Sequence, residues 1–188
     1  MKLITSAKPI ILLFLVLGLF SCSKEYETET FPDSALVTIK LQGLQSQLSS
    51  VNIEVTDIQF QLKADATEAD AWLSLNTVNM GVHDLTRITG DQVVTLVDFD
   101  EVDLNHIYNM KLVYGENNSM VKQGLNYDLV IAPELDNASV NMVDRTLEAN
   151  KIYEFIVEFD LDESITIENG IAQLRPQTST ILRRFEIF

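Results

Sequence analysis

The 188-residue chain is poor in the residues on which small extracytoplasmic and catalytic domains usually depend. It has one cysteine, so no disulfide can form within it and any domain must be held by its core. Its two histidines, His83 and His106, stand far apart in sequence and fall short of the three or four ligands of a zinc site. No Gly-x-Ser-x-Gly elbow is present to position a serine nucleophile. The seven glycines occur singly, so no glycine-rich loop can cradle a phosphate. Positive charge is scarce: 13 Lys and Arg face 28 Asp and Glu, for a formal charge of −15. That balance excludes nucleic acid as a partner and excludes electrostatic adhesion to an anionic membrane. No long stretch keeps a helical period.

What the chain does have is one strongly apolar run, Pro9 to Phe20, that ends against its only cysteine. Lys2 and Lys8 precede it, and Ser21-Cys22-Ser23-Lys24-Glu25 follow. The run is 12 residues long, whereas a membrane-spanning helix needs roughly 20. It fits the apolar region of a signal peptide. The junction resembles a bacterial lipobox, with Leu19 third before the cysteine, Ser21 immediately before it, and Phe20 bulkier than usual between them. The resemblance implies that Cys22 carries a diacylglyceryl group and that residues 1–21 are removed. The alternatives are a plain secretory signal or a retained membrane helix. Removal of residues 1–21 leaves 167 residues and, with two lysines lost, moves the formal charge from −15 to −17. One chain of buried methylenes, each contributing ~0.8 kcal/mol, holds only marginally. The three acyl chains usual in bacterial lipoproteins, palmitate among them, hold permanently.

Residues 22–34 are polar and acidic without a sustained period and read as a tether. Residues 35–188 are patterned as strands. Leu36 to Leu41 forms a first strand. Val51, Ile53 and Val55 alternate with polar residues; then the apolar set slips by one, to Ile58, Phe60 and Leu62. A one-residue slip turns side chains to the other face, so Thr56-Asp57 is expected to be a bulge or a crossing between sheets. Lys63 to Ala71 is a polar loop before a short strand at Trp72-Leu73-Ser74-Leu75. One helical turn closed by Gly90 is expected within Val82 to Gly90. Further strands are expected at Val93–Val97, around Tyr108 to Tyr114, at Tyr127 to Ile131, at Val140–Leu147 and at Thr180–Phe188. Tyr153, Phe155, Val157, Phe159 and Leu161 form the clearest apolar stripe. Asn169-Gly170 between Ile165-Thr166-Ile167 and Ile171 to Leu174 predicts a type I′ hairpin. The expected architecture is all-β: an antiparallel β-sandwich, transthyretin-like or Ig-like, with at most one short helical turn.

Several short segments together carry a family resemblance. They are Val55-Thr56-Asp57-Ile58, Trp72-Leu73-Ser74-Leu75, Asp84-Leu85-Thr86, Phe159-Asp160-Leu161-Asp162-Glu163-Ser164-Ile165 and Leu174-Arg175-Pro176. In this order they resemble an uncharacterised lipoprotein domain of Bacteroidetes-type bacteria, a domain of unknown function numbered in the 4300s. The resemblance spans roughly Ser34 to Arg183. It implies a transthyretin-like or carboxypeptidase-regulatory-like sandwich and brings no catalytic residue. Where the family often has Pro-Ala-Gly before a central tyrosine, this chain has Asn105-His106-Ile107 before Tyr108.

Candidate sites are few. Asp98, Asp100, Glu101 and Asp103, and separately Asp160, Asp162 and Glu163, are dense enough in carboxylates for calcium. They lack the glycine and terminal glutamate of an EF-hand, and solvated acidic strand ends explain them as well. Trp72 is the sole tryptophan and the one candidate platform for a glycan; a core or rim position is the alternative. The tyrosines at 108, 114, 127 and 153 fall in phase with apolar neighbours and are expected in the core. Asp33-Ser34-Ala35 resembles an O-glycosylation site of Bacteroidetes-type bacteria, which marks Ser34. Asn117-Asn118-Ser119 and Asn137-Ala138-Ser139 are N-glycosylation sequons, of little weight in a bacterial lipoprotein. Lys24, Glu25 and Glu27 resemble the export signal of surface lipoproteins in such bacteria. The expected protein is a non-catalytic envelope lipoprotein without a cofactor, held at the outer membrane by lipid and facing the cell surface, with the periplasmic face as the alternative. Its expected role is protein binding or envelope assembly, with accessory glycan binding second. An enzyme would need two carboxylates facing one cleft.

Replacing Cys22 with alanine is expected to move the protein from the membrane to the soluble fraction. A Cys22→Ala variant that still sediments with membranes after a carbonate wash would rule out the lipid anchor.

Overall fold

The computed structural model describes residues 30–187. Thirteen strands build two sheets that face each other across one core. Strand β1, Ser34–Gly43, points Ala35, Val37, Ile39 and Leu41 inward. Strand β10, Lys151–Asp160, points Tyr153, Phe155, Val157 and Phe159 the same way. The two pair in parallel from Leu36↔Ile152 to Gly43↔Phe159. Strand β5, Val94–Asp103, runs antiparallel to β1, and β13, Gln177–Glu186, runs antiparallel to β10. The first sheet therefore has the order β13-β10-β1-β5.

The second sheet is organised around β2, Ser50–Gln61. On one side of β2 lie β3, Trp72–Ser74, and β4, Gly81–Asp84, one beyond the other. On the other side lie β6, His106–Tyr114, and β7, Ser119–Lys122, also in tandem. Outside β6 runs β9, Ala138–Thr146. Outside β7 runs β8, Leu125–Ile131, followed by β12, Ile171–Leu174, and β11, Ile165–Glu168. The sheets meet through Phe60 and Phe155, edge to face with ring centroids 5.5 Å apart. Asn76 N–H donates to the Asp100 carboxylate at 2.9 Å and Val78 N–H to Leu96 O at 2.9 Å, so the β3–β4 connection covers the outer edge of β5.

The expected phase break is a bulge. Val55 faces Tyr114, but Asp57, not Thr56, faces Val113. Thr56 is left exposed while Val55 and Ile58 are both fully buried. The predicted hairpin is also present, with φ of 52° at Asn169 and 79° at Gly170, as a type I′ turn requires.

Three expectations change. The sheets are mixed, because β1–β10 and β8–β12 are parallel pairs. Val82 to Gly90 is not helical: it holds the end of β4 and a turn. There the Asp84 carboxylate accepts from the N–H groups of Val51 and Thr86 and from the hydroxyls of Thr86 and Ser50. Such local side-chain bonds compete with helix formation. Two short helical turns occur elsewhere. One is a 3-10 turn at Pro133–Leu135. The other is α1, Leu161–Ser164, whose first turn is capped by Asp160 accepting from Glu163 N–H at 3.1 Å.

Gly43 lets the end of β1 touch the turn after β4. Its N–H donates to Ile88 O at 2.8 Å, and a Cβ there would overlap the backbone oxygen of Leu85. Gly43→Ala should destabilise the fold by about 1–3 kcal/mol, as overpacking does. Thermal melting should fall by about 2–4 °C per kcal/mol in a chain of this size. An unchanged melting temperature would contradict this packing.

Candidate functional site

A concave site arises where the second sheet forks. Strands β6 and β7 follow one another along β2, yet β9 flanks the first and β8 the second. The chain between them, Gly115 to Asn118, is held against Glu54. Gly115 N–H donates to Glu54 O at 2.9 Å, and Glu54 N–H donates to Asn118 Oδ1 at 2.8 Å. Asn117 donates twice to Glu54 Oε2, from its backbone N–H at 2.9 Å and its side-chain amide at 2.8 Å. Asn118 completes the loop by donating to Gly115 O at 2.7 Å. A Cβ on Gly115 would overlap the Glu54 carboxylate, so only glycine fits this position with the carboxylate in place. The Asn117 backbone and side-chain bonds hold the Glu54 carboxyl below its ordinary pKa.

This loop leaves the end of β8 without a neighbour on the β7 side. Its pairing with β7 ends at Ser119↔Asp128, with one further bond from Leu129 N–H to Asn118 O at 2.9 Å. Backbone groups alternate in direction along a strand, so Ile131, two residues on, faces the same side as Leu129. The chain that would have met Ile131 is turned onto Glu54. Between β8 and the start of β9 this leaves a cleft of about 610 Å³, lined among others by Glu116, Asn117, Asp128, Val130, Ile131 and Asn137. No Lys, Arg or His lines it. Glu116 and Asp128 are the two carboxylates facing one cleft that an enzyme would need. Both are solvent-exposed. The lining also holds no serine–histidine or cysteine–histidine pair.

The sequence-derived candidates lie elsewhere. Cys22, Lys24, Glu25 and Glu27 fall outside the described residues. Ser34 is not in a tether: it opens β1, is 5% exposed and donates to the Glu101 carboxylate at 2.5 Å. Its hydroxyl is buried by that pairing and is not offered to a glycosyltransferase. Trp72 is half-buried. Its Nε1–H donates to Ala66 O at 3.1 Å, and Lys111 Nζ lies 3.6 Å from the ring centroid. A cation on its face leaves Trp72 without that face for stacking a sugar. Tyr114 and Tyr153 are core residues, as expected, while Tyr127 is half-buried. A register shift between Ile107 and Asn109 takes Tyr108 out of the buried set, and it packs on His106 instead, at 4.5 Å.

The acidic runs do not converge. Asp98, Asp100 and Asp103 are strung along β5, with Asp100 accepting from Asn76. Asp160 caps α1, and Asp162 accepts from the Ser46 hydroxyl at 2.6 Å. Among the described residues no three His, Cys, Asp or Glu side chains form a group able to hold a metal. His83 contacts Asn79 O, and His106 contacts Thr146 and Asp144. Of the residues that make the cleft, Glu54 and Gly115 are not singled out by the sequence, and Asn118 is marked there only as part of the sequon Asn117-Asn118-Ser119. A further signal is the polar break Gly115-Glu116-Asn117-Asn118 between two strand patterns.

A family model described as a domain of unknown function (DUF4382) matches residues 34–176. The match opens with β1, contains the whole cleft and stops just before β13. No curated protein and no solved structure matches the chain.

A carboxyl held below its ordinary pKa adds stability above that ordinary value and loses it as pH falls through the lowered one. Glu54→Ala is therefore expected to lower the melting temperature near neutral pH by several degrees. The difference from the parent protein should shrink in acid, once the pH has fallen through the lowered value and both lack the charge. A difference of equal size under both conditions would show that the ionised carboxylate does not hold the loop.

Proposed function

The chain belongs to the DUF4382 domains, a family of unknown function, and we propose that it is a lipid-anchored envelope lipoprotein that binds polypeptide and performs no catalysis. The anchor is Cys22, after its 12-residue apolar run. Lys24, Glu25 and Glu27, next to the lipid, form the export signal of a Bacteroidetes-type surface lipoprotein at the outer membrane.

One observation supports polypeptide as the ligand: the unpaired side of β8 at Ile131 opens into the cleft. An extended segment can add there and satisfy the backbone groups that β7 leaves, with alternate side chains reaching the walls. The cleft also faces usefully. Phe31 N–H donates to Asn150 Oδ1 at 2.6 Å, and Ile187 N–H donates to Asn150 O at 3.2 Å, so both ends of the described chain meet at one end of the sandwich. Leu147 N–H donates to Asn105 O there, just before β6 begins. The cleft is at the other end of β6, about 30 Å away for nine residues.

A photo-crosslinking residue at Val130, in intact cells, is expected to capture a polypeptide partner as a protease-sensitive adduct. The same residue at Ile181, on the outside of β13, should not capture it. Equal capture from both positions, or an adduct sensitive only to glycosidases, would overturn the reading. Glycosidase sensitivity would establish the accessory glycan-binding role instead.

A further inference from the structure

The walls of the cleft allow the bound segment to be described chemically. We propose that it carries a lysine or arginine side chain that lies over Val130 and ends at Asp128 and Glu116. The proposal rests on the reading of the cleft as a polypeptide site.

Charge complementarity gives the sign. Glu116 and Asp128 line the cleft, and neither has an ion-pair partner among the described residues. This differs from nearby carboxylates. Glu54 is engaged by Asn117, and Glu134, beyond the end of β8, is paired with Arg175. The chain's charge of −15 adds a long-range field that draws cationic segments and repels acidic ones.

The shape of the site gives the side chain. Val130 is 53% exposed although it lies within a paired strand. Asp128 is two residues away and shares its face, because side chains alternate along a strand. A segment added along the free side of β8 would place one side chain next to Val130, with Asp128 on the diagonal. Long side chains reach such diagonal neighbours. An apolar surface leading to a carboxylate matches a side chain with a methylene stem and a cationic head. A short polar residue would leave Val130 uncovered, and an acidic one would meet two like charges. The lining holds no aromatic ring, so it lacks the stacking surface that a sugar would use.

The test uses the full-length lipoprotein in detergent micelles and three blocked peptides, Thr-Val-Lys-Val-Thr and its Gln-centred and Glu-centred versions. Binding is followed by the amide resonances of Leu129 to Ile131. The lysine peptide should bind best and weaken as salt is raised, since exposed pairs are screened. Glu116→Gln with Asp128→Asn should weaken it about tenfold, the sum expected of two exposed ion pairs. Both residues are exposed, so the melting temperature should not change and folding loss is not a confounder. Equal binding of all three peptides would leave the polypeptide site standing and overturn the cationic side chain. So would an unchanged affinity in the double variant. Failure of every peptide to shift these resonances would overturn both.

Discussion

The division of the larger sheet depends on Glu54. Its backbone takes the place of a normal ladder partner for Gly115 and Asn118, and its carboxylate accepts both donors of Asn117. None of these bonds is deeply buried, and each alone would contribute little. Together they turn four residues of chain toward β2 when the continuation of β7 would have led toward Ile131. A sheet closed at this point would have no cleft and no unpaired stretch on β8.

Glu54 can do this because of its place in β2. Ile53 and Val55 are committed to the core on either side, so Glu54 must face outward. The bulge at Thr56 then resets the alternation, and Ile58 and Phe60 stay buried over the second half of the strand. One strand thus serves two stretches of sheet with different neighbours. The slip between its halves occurs at Thr56, two residues after the clamp.

Local patterns made much of the fold legible. The slip at Thr56-Asp57, the Asn169-Gly170 hairpin and the stripe from Tyr153 to Phe159 each have a signature within a few residues, and each is present. Parallel pairing of β1 with β10 was not legible, because alternation reports which face is buried and is silent on the direction of the partner. The turn after β4 differs from expectation because a glycine such as Gly90 closes a local turn as well as a helix, and here Asp84 bonds Thr86 two residues on. Ser34 was assigned to the tether because a polar residue at a strand's first position looks like the polar segment before it. The cleft leaves only a polar break and a sequon at Gly115 to Ser119 as its trace, since it is made by bonds between Glu54 and Asn117, 63 positions apart.

The first strand of the described residues is also an interior strand of its sheet, bonded to β10 on one side and β5 on the other. This has a mechanical consequence. A pull on the N-terminal end of β1, as the proposed lipid anchor would exert, opposed by a load at the far end of the sandwich, acts along the axis of β1. The ladders from Leu36↔Ile152 to Gly43↔Phe159, and those to β5, are then loaded in shear. Bonds in shear share the force and must fail together, whereas bonds at a peeled edge fail one at a time. Under the proposed lipid anchor, the strand that leads from the membrane is thus one whose bonds on both sides share the load.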